Sequence, residues 1–203
     1  MLGRRLIVPV VVAILAAAAA CSGCGDDAED EASGGLPQGS ERVMLDPADF
    51  TTKIDKPYWP MAVGNTWVYR ETDTGGGRAK VVVRVTDRTK KIANGITARV
   101  IRDTVTERGV PVEITDDWYA QDDRGNIWYL GEYVTNYRDG KVVDHAGSFE
   151  AGVDGAQAGI GDLVPTEPKV QELKYARGVG PLLSIHTDGD GGRAELLAFL
   201  KRR

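Results

Sequence analysis

From Thr66 to Glu150 the chain repeats one pattern: a run rich in β-branched and aromatic residues, then a short turn. "TWVY" opens the series. "AKVVVRVTDR" (79–88) follows, with Val81, Val83 and Val85 on one face. "ITARVIRDTVT" (96–106) sets Ile96, Ala98 and Val100 against Thr97 and Arg99. "VPVEITDDWYAQDD" (110–123), "NIWYLGEYVTNYR" (126–138) and "KVVDHAGSFE" (141–150) complete it. The junctions are Gly75-Gly76-Gly77, Asn94-Gly95, Arg108-Gly109, Arg124-Gly125-Asn126 and Asp139-Gly140. A side-chain period of two suits a pleated strand, whose successive residues face opposite sides. Asn-Gly and Asp-Gly steps between such runs are strong hairpin signals. The pattern therefore predicts a mainly β fold: an antiparallel meander forming a curved sheet or half-open barrel. No stretch after residue 20 carries the apolar stripe of a long amphipathic helix.

The C-terminal part continues the theme. "KYARGVGPLLSIHTD" (174–188) reads as one strand, with Pro181 marking an edge or bend. "GDGG" (189–192) reads as a turn. "RAELLAFLKR" (193–202) has the Ala, Glu and Leu content of a helix. Its Gly-rich approach and β neighbours assign it instead to a last strand.

The N-terminus is of another kind. Arg4 and Arg5 precede the apolar run Leu6–Ala20, which is shorter than the roughly 20 residues that span a bilayer. It has the form of a secretory leader. Ala18-Ala19-Ala20-Cys21 then resembles the lipobox of bacterial lipoproteins. In that family the leader is cut before the cysteine, whose sulfur carries a diacylglycerol. Several acyl chains on one residue provide the multiple-chain anchoring that stable membrane attachment needs. Ala18 replaces the usual Leu, and Cys24 offers a second register, so Cys21 is the expected lipidation site and Cys24 the alternative. An uncleaved anchor or plain secretion would also follow from such a leader. These are the only two cysteines of the 203 residues. A redox Cys-x-x-Cys belongs at a strand-to-helix junction. A zinc site needs about four ligands, and only His145 and His186 could join the cysteines.

Residues 22–41 hold Asp26, Asp27, Glu29, Asp30, Glu31 and Glu41 among Gly, Ser and Pro. That composition buries too little apolar surface to order itself, and its like charges extend it. The expected organisation is a signal peptide (1–20), a lipid-anchored cysteine with a disordered acidic linker (21–55), and a β-rich domain (56–203). Within the domain, Tyr58 and Trp59 before Pro60 form a candidate apolar plug. The formal charge of −5 falls mostly on the linker, and no basic stretch carries interleaved aromatics. Nucleic-acid binding has no footprint.

"PMAVGNTWVYRE", "GNIWYLGE", "GSFEAGVDGAQAGI" and "KYARGVGPLL" together resemble an uncharacterised family of bacterial lipoproteins. Their β-rich bodies open with a Pro-x-x-x-Gly-Asn-x-Trp-x-Tyr phrase. The resemblance covers most of residues 57–200 and implies fold and location, not mechanism. Relatives have a longer segment after the counterpart of Ile160. Its shortness here implies the loss of one or two strands and an open sheet edge, with Pro165, Pro168 and Lys169 as local protection.

Candidates for chemistry are few. Asp144, His145, Glu150 and Asp154 would suit a metal or an acid–base pair if brought together. Their spacing matches no metal motif, and a strand residue with turn acids explains them equally. Asp122-Asp123-Arg124-Gly125-Asn126 and "DGDGG" (188–192) lack the ligand spacing of a calcium loop. No nucleophile elbow surrounds Ser148 or Ser184, and Gly75–Gly77 lacks the Lys-Ser/Thr of a phosphate loop. No catalytic residue, metal or cofactor is assigned. The aromatics say more. Trp118-Tyr119 and Trp128-Tyr129 are adjacent pairs, so each puts one ring on either side of its strand. With Trp67 and Tyr69 they form a candidate ligand surface, or an ordinary core. The expected function is that of a membrane-anchored envelope lipoprotein: a non-enzymatic binding or structural module that meets a partner protein or ligand. A carrier of a lipid or other apolar ligand on the concave face of the sheet is the alternative.

Overall fold

The chain from Thr66 onward runs back and forth through a single antiparallel sheet. The structure is a computed structural model that describes residues 44–160, 170–186 and 191–202. Cys21, Cys24 and the acidic residues 22–41 lie outside the described residues. So does 161–169, where the loss of strands was expected. A single 3-10 turn, Pro47–Asp49, precedes twelve strands. These are β1 (Phe50–Thr51), β2 (Thr66–Thr72), β3 (Arg78–Lys91), β4 (Thr97–Glu107), β5 (Val110–Asp122) and β6 (Ile127–Arg138). They continue as β7 (Lys141–Asp144), β8 (Phe149–Glu150), β9 (Gly159–Ile160), β10 (Val170–Ala176), β11 (Gly180–His186) and β12 (Gly192–Leu200). The sheet order is β10-β11-β12-β2-β3-β4-β5-β6-β7, with β1 on β5 and with β8 and β9 on β6. It does not close into a barrel. Among the described residues no helix is long and apolar enough to cross a membrane.

The meander is built by its turns. Arg108-Gly109 and Asp139-Gly140 each have two consecutive residues at positive φ (49° and 84°; 53° and 73°). That is the primed turn whose twist matches the flanking strands. The segment 174–188 is two strands rather than one. Arg177-Gly178-Val179 turns the chain between β10 and β11, and the Trp67 indole N–H donates to the Val179 carbonyl at 2.7 Å. Pro181 lies inside the sheet, opposite Tyr175 of β10, at the end of β11 where no β12 partner is paired, since β11 pairs with β12 only from Leu183 onward. Residues 193–200 form a strand despite their helical composition, since β12 fills the place between β11 and the free edge of β2.

The sheet curls. Although β10 and β5 stand far apart in the strand order, the Trp59 ring lies 6.5 Å from Tyr175 of β10 and 5.9 Å from Tyr119 of β5. Trp59 and Met61 thus plug the inner face, while Tyr58 points out, half exposed. The inner core joins Trp67, Tyr69, Val81, Val85, Ile101, Val105, Tyr119 and Tyr129. Burying one such large side chain contributes roughly 2–3 kcal/mol.

A second core lies on the opposite face of β4–β6 and gathers Ile96, Val100, Trp118, Trp128 and Leu130. Leu45, Phe50, Ala151 and Ile160 cover it. The folded body therefore starts well before residue 56. Phe50 and Thr51 pair with Asp122 and Gln121, and Ile54 is buried in the inner core. The boundary expected at 55/56 moves to about residue 45, because one pairing register and two apolar anchors hold this segment.

Gly131 of β6 marks the closest backbone approach. Its φ is +134°, and a Cβ there would lie 2.4 Å from the Phe149 carbonyl oxygen. Gly131→Ala is expected to cost roughly 2–4 kcal/mol. Gly109→Ala, at a turn where nothing lies within 4 Å of the new Cβ, is expected to cost only roughly 1 kcal/mol. Urea unfolding of the two variants measures the difference, and equal losses would contradict this packing.

Candidate functional site

All six rings of the expected ligand surface are buried, none more than 6% exposed. The alternation holds: Tyr119 and Tyr129 stack at 4.9 Å on the inner face, while Trp118 and Trp128 point to the outer one. Each ring is then occupied by protein. The Tyr69 hydroxyl donates to the Pro181 carbonyl at 3.1 Å, and Trp67 packs on Phe199. Trp128 meets Phe50 and donates to Asp122 Oδ2 at 2.8 Å. Lys90 Nζ sits 4.4 Å from the centre of the Trp118 ring. The open aromatic surface is not formed by Trp67, Tyr69, Trp118, Tyr119, Trp128 and Tyr129, because the segments around Phe50 and Ala151 close the side that a bare hairpin would leave exposed.

The inner face holds something the sequence reading missed. Asp103 of β4, Glu113 and Asp117 of β5, and Glu132 of β6 lie on adjacent strands on that side. Asp103 pairs across the strands with Thr115, and Asp117 with Glu132. Asp103 and Asp117 are fully buried. Tyr129 donates its hydroxyl hydrogen to Asp117 Oδ1 at 2.9 Å. Asp117 Oδ2 and both oxygens of Asp103 have no hydrogen-bond partner. Burial, then the charge of Glu113, pushes the Asp103 carboxyl well above the ordinary range. Burial, then Asp103 and Glu132, does the same to Asp117. Burial also raises Glu113, against the pull of the Thr115 hydroxyl. Burial brings Glu132 up to about 7, a rise that the nearby Tyr129 hydroxyl opposes and Glu113 adds to. A buried carboxyl without a cation takes a proton rather than pay for its charge. Arg99, at the far end of β4, is committed to the Thr52 and Asp87 carbonyls.

The outer face is the reverse. Alternation puts Arg70 of β2, Lys80, Arg84, Arg88 and Lys90 of β3, and Arg102 of β4 on this side. Asp116 of β5 collects two of them. Arg88 reaches its two oxygens at 2.9 and 2.7 Å, and Arg102 reaches both at 2.8 Å. Burial alone would raise Asp116, but these bonds outweigh it and hold the carboxyl below its usual range. Arg88, Lys90, Asp116, Trp118 and the half-exposed Tyr133 line an open groove of about 470 Å³. Over β2 and β3 no described element covers this face, and Arg70, Lys80 and Arg84 are exposed.

The other candidates stay apart. The His145 ring stacks on Tyr133 at 4.7 Å, and its Nδ1 donates to the Val134 carbonyl at 2.7 Å. Glu150 pairs with Lys90 at 2.8 Å and accepts from the Ala93 amide. Asp144 accepts from Asn136, and Asp154 sits in a turn at φ 50°. Asp122 caps its own turn through Arg124 and Asn126. Among the described residues, no group of three or more His, Cys, Asp or Glu is placed to hold a metal ion. The signal for the inner acids was available: Asp103 stands in phase with Ile101 and Val105, where an apolar residue belongs. No protein-family model, curated protein or solved structure matches this chain.

The raised carboxyls fix a sign. Each contributes stability that is complete below the ordinary carboxylate range and is lost as pH rises through its folded value, near 7 for Glu132. The melting temperature is expected to fall between pH 5 and pH 8, and Glu132→Gln to recover roughly 1–2 kcal/mol at pH 8. Thermal unfolding across that range checks this. A melting temperature that rises with pH would contradict it.

Proposed function

We propose that this chain is a membrane-anchored lipoprotein of the bacterial cell envelope, tethered through lipid on Cys21, and that its body is a non-enzymatic binding module. The leader Leu6–Ala20, the small residues before Cys21 and the acidic stretch 22–41 support the anchor. The observation that carries the binding role is the outer face of β2 and β3, which no described residue covers, continuous with the groove beside Asp116 and Tyr133. It presents the exposed cations Lys80 and Arg84 and the half-exposed Tyr133 ring on one sheet face, which suits recognition of a surface or partner rather than turnover of a substrate. An apolar carrier on the inner face is disfavoured. The rings that would line it pack on one another, and four carboxyl groups share the space.

The intact mass of the chain purified from membranes tests the anchor. A mature chain beginning at an acylated Cys21 is expected. Cys21→Ala is expected to leave the body folded and to remove the acylated species, while Cys24→Ala leaves it acylated. A mature N-terminus elsewhere, or acylation that follows Cys24, would refute the assignment.

A further inference from the structure

Two cross-strand pairs on the outer face oppose folding. Arg70 stands directly opposite Lys80, and Arg84 directly opposite Arg102. Like charges placed directly opposite one another destabilise a sheet. Their relief is partial. Arg70 has Glu195 at 2.9 Å, and Arg102 shares Asp116 with Arg88. Lys80 and Arg84 make no ion pair among the described residues, and both are exposed. Between the two cationic rows runs a neutral one, Val68, Val82 and Thr104, whose members also pair across the strands. The result is a positive surface on a chain whose overall charge is −5. A surface that keeps repulsive pairs at a cost to its own stability is matched to something outside it.

We infer that this face docks on the anionic phospholipid headgroups of the membrane that holds the chain. The inference rests on the lipid anchor proposed above. Charge complementarity is its first support: anionic lipid attracts clustered Lys and Arg within a Debye length of the surface. Geometry is the second, since the cations of β2, β3 and β4 stand side by side on one exposed sheet face and meet a bilayer without needing a pocket. Chain length is the third. Only residues 22–44 separate Cys21 from the start of the body near Leu45, so an anchored body never leaves the neighbourhood of the headgroups. Confinement of that kind makes weak contacts effective.

The test uses the acylated full-length chain in phosphatidylcholine vesicles with and without phosphatidylglycerol, read by amine-reactive labelling of individual lysines. With about 30% phosphatidylglycerol at about 50 mM salt, labelling of Lys80 is expected to slow roughly fivefold or more, and to recover at about 500 mM salt. Lys53 and Lys141, exposed and away from this face, are the internal controls and are expected to label at unchanged rates. Arg84→Glu is expected to abolish the protection of Lys80. Equal labelling of Lys80 in neutral and anionic vesicles overturns the inference, as does equal protection of all three lysines. If protection appears only after the acids at 26–31 are changed to amides, the tether occupies the face and the inference also fails. A chain that does not float with neutral vesicles refutes the anchor instead. Docking is then read from flotation with anionic vesicles alone, and its absence overturns it.

Discussion

Everything in this molecule depends on the two-residue period of β2–β6. Successive side chains leave a strand on opposite sides, so one register decides two surfaces at once. Here the register sorts charge as well as hydrophobicity. Asp103, Glu113, Asp117 and Glu132 go inward with Val81, Ile101 and Tyr119, while Arg70, Lys80, Arg84 and Arg102 go outward. Adjacent residues meet opposite fates. Asp116 is clamped between two guanidinium groups, and Asp117, one residue on, is buried with one oxygen that no donor reaches. A slip of one residue would bury the arginines and expose the core, so the pairing is strongly specified.

The remaining segments follow from this sheet. Its inner face is too polar at one end and too open at the other to complete itself. Trp59 and Met61 fill the open side, and the hydroxyls of Tyr129 and Thr115 donate to Asp117 and Glu113. On the outer face, among the described residues, the segments around Phe50 and Ala151 cover the Trp118–Trp128 end alone. Lys90 and Glu150 stitch that cover to the β3–β4 hairpin. The part left uncovered is the positive part, which is why the binding reading rests there.

Much of this was legible. The turn dipeptides and β-branched runs mark β2 to β6 and their antiparallel order, since a two-residue connection permits little else. The burial of all six rings was not. Alternation separates Trp118 from Tyr119, but what covers each ring arrives from distant segments such as 45–51. The turn at Arg177-Gly178 is masked in the sequence by Pro181, a stronger break signal close beside it. The basic face is the clearest case. Arg84 and Arg102 become neighbours only through the β3–β4 register, and a bulge between Val85 and Thr89 shifts that register in a way composition does not reveal. The sequence shows a mildly acidic body; only the pairing shows that Asp103, Glu113, Asp117 and Glu132 gather on one side and Arg70, Lys80, Arg84 and Arg102 on the other.

The sharpest test is a site-resolved titration of two neighbouring carboxyl groups. Carbon-13 NMR of the side-chain carboxyls of Asp116 and Asp117 reads both in one sample. Asp116 is expected to ionise below the ordinary range and Asp117 well above it, with Asp103 following Asp117. If Asp116 and Asp117 titrate together near the ordinary value, the two faces are not divided by charge and the account fails.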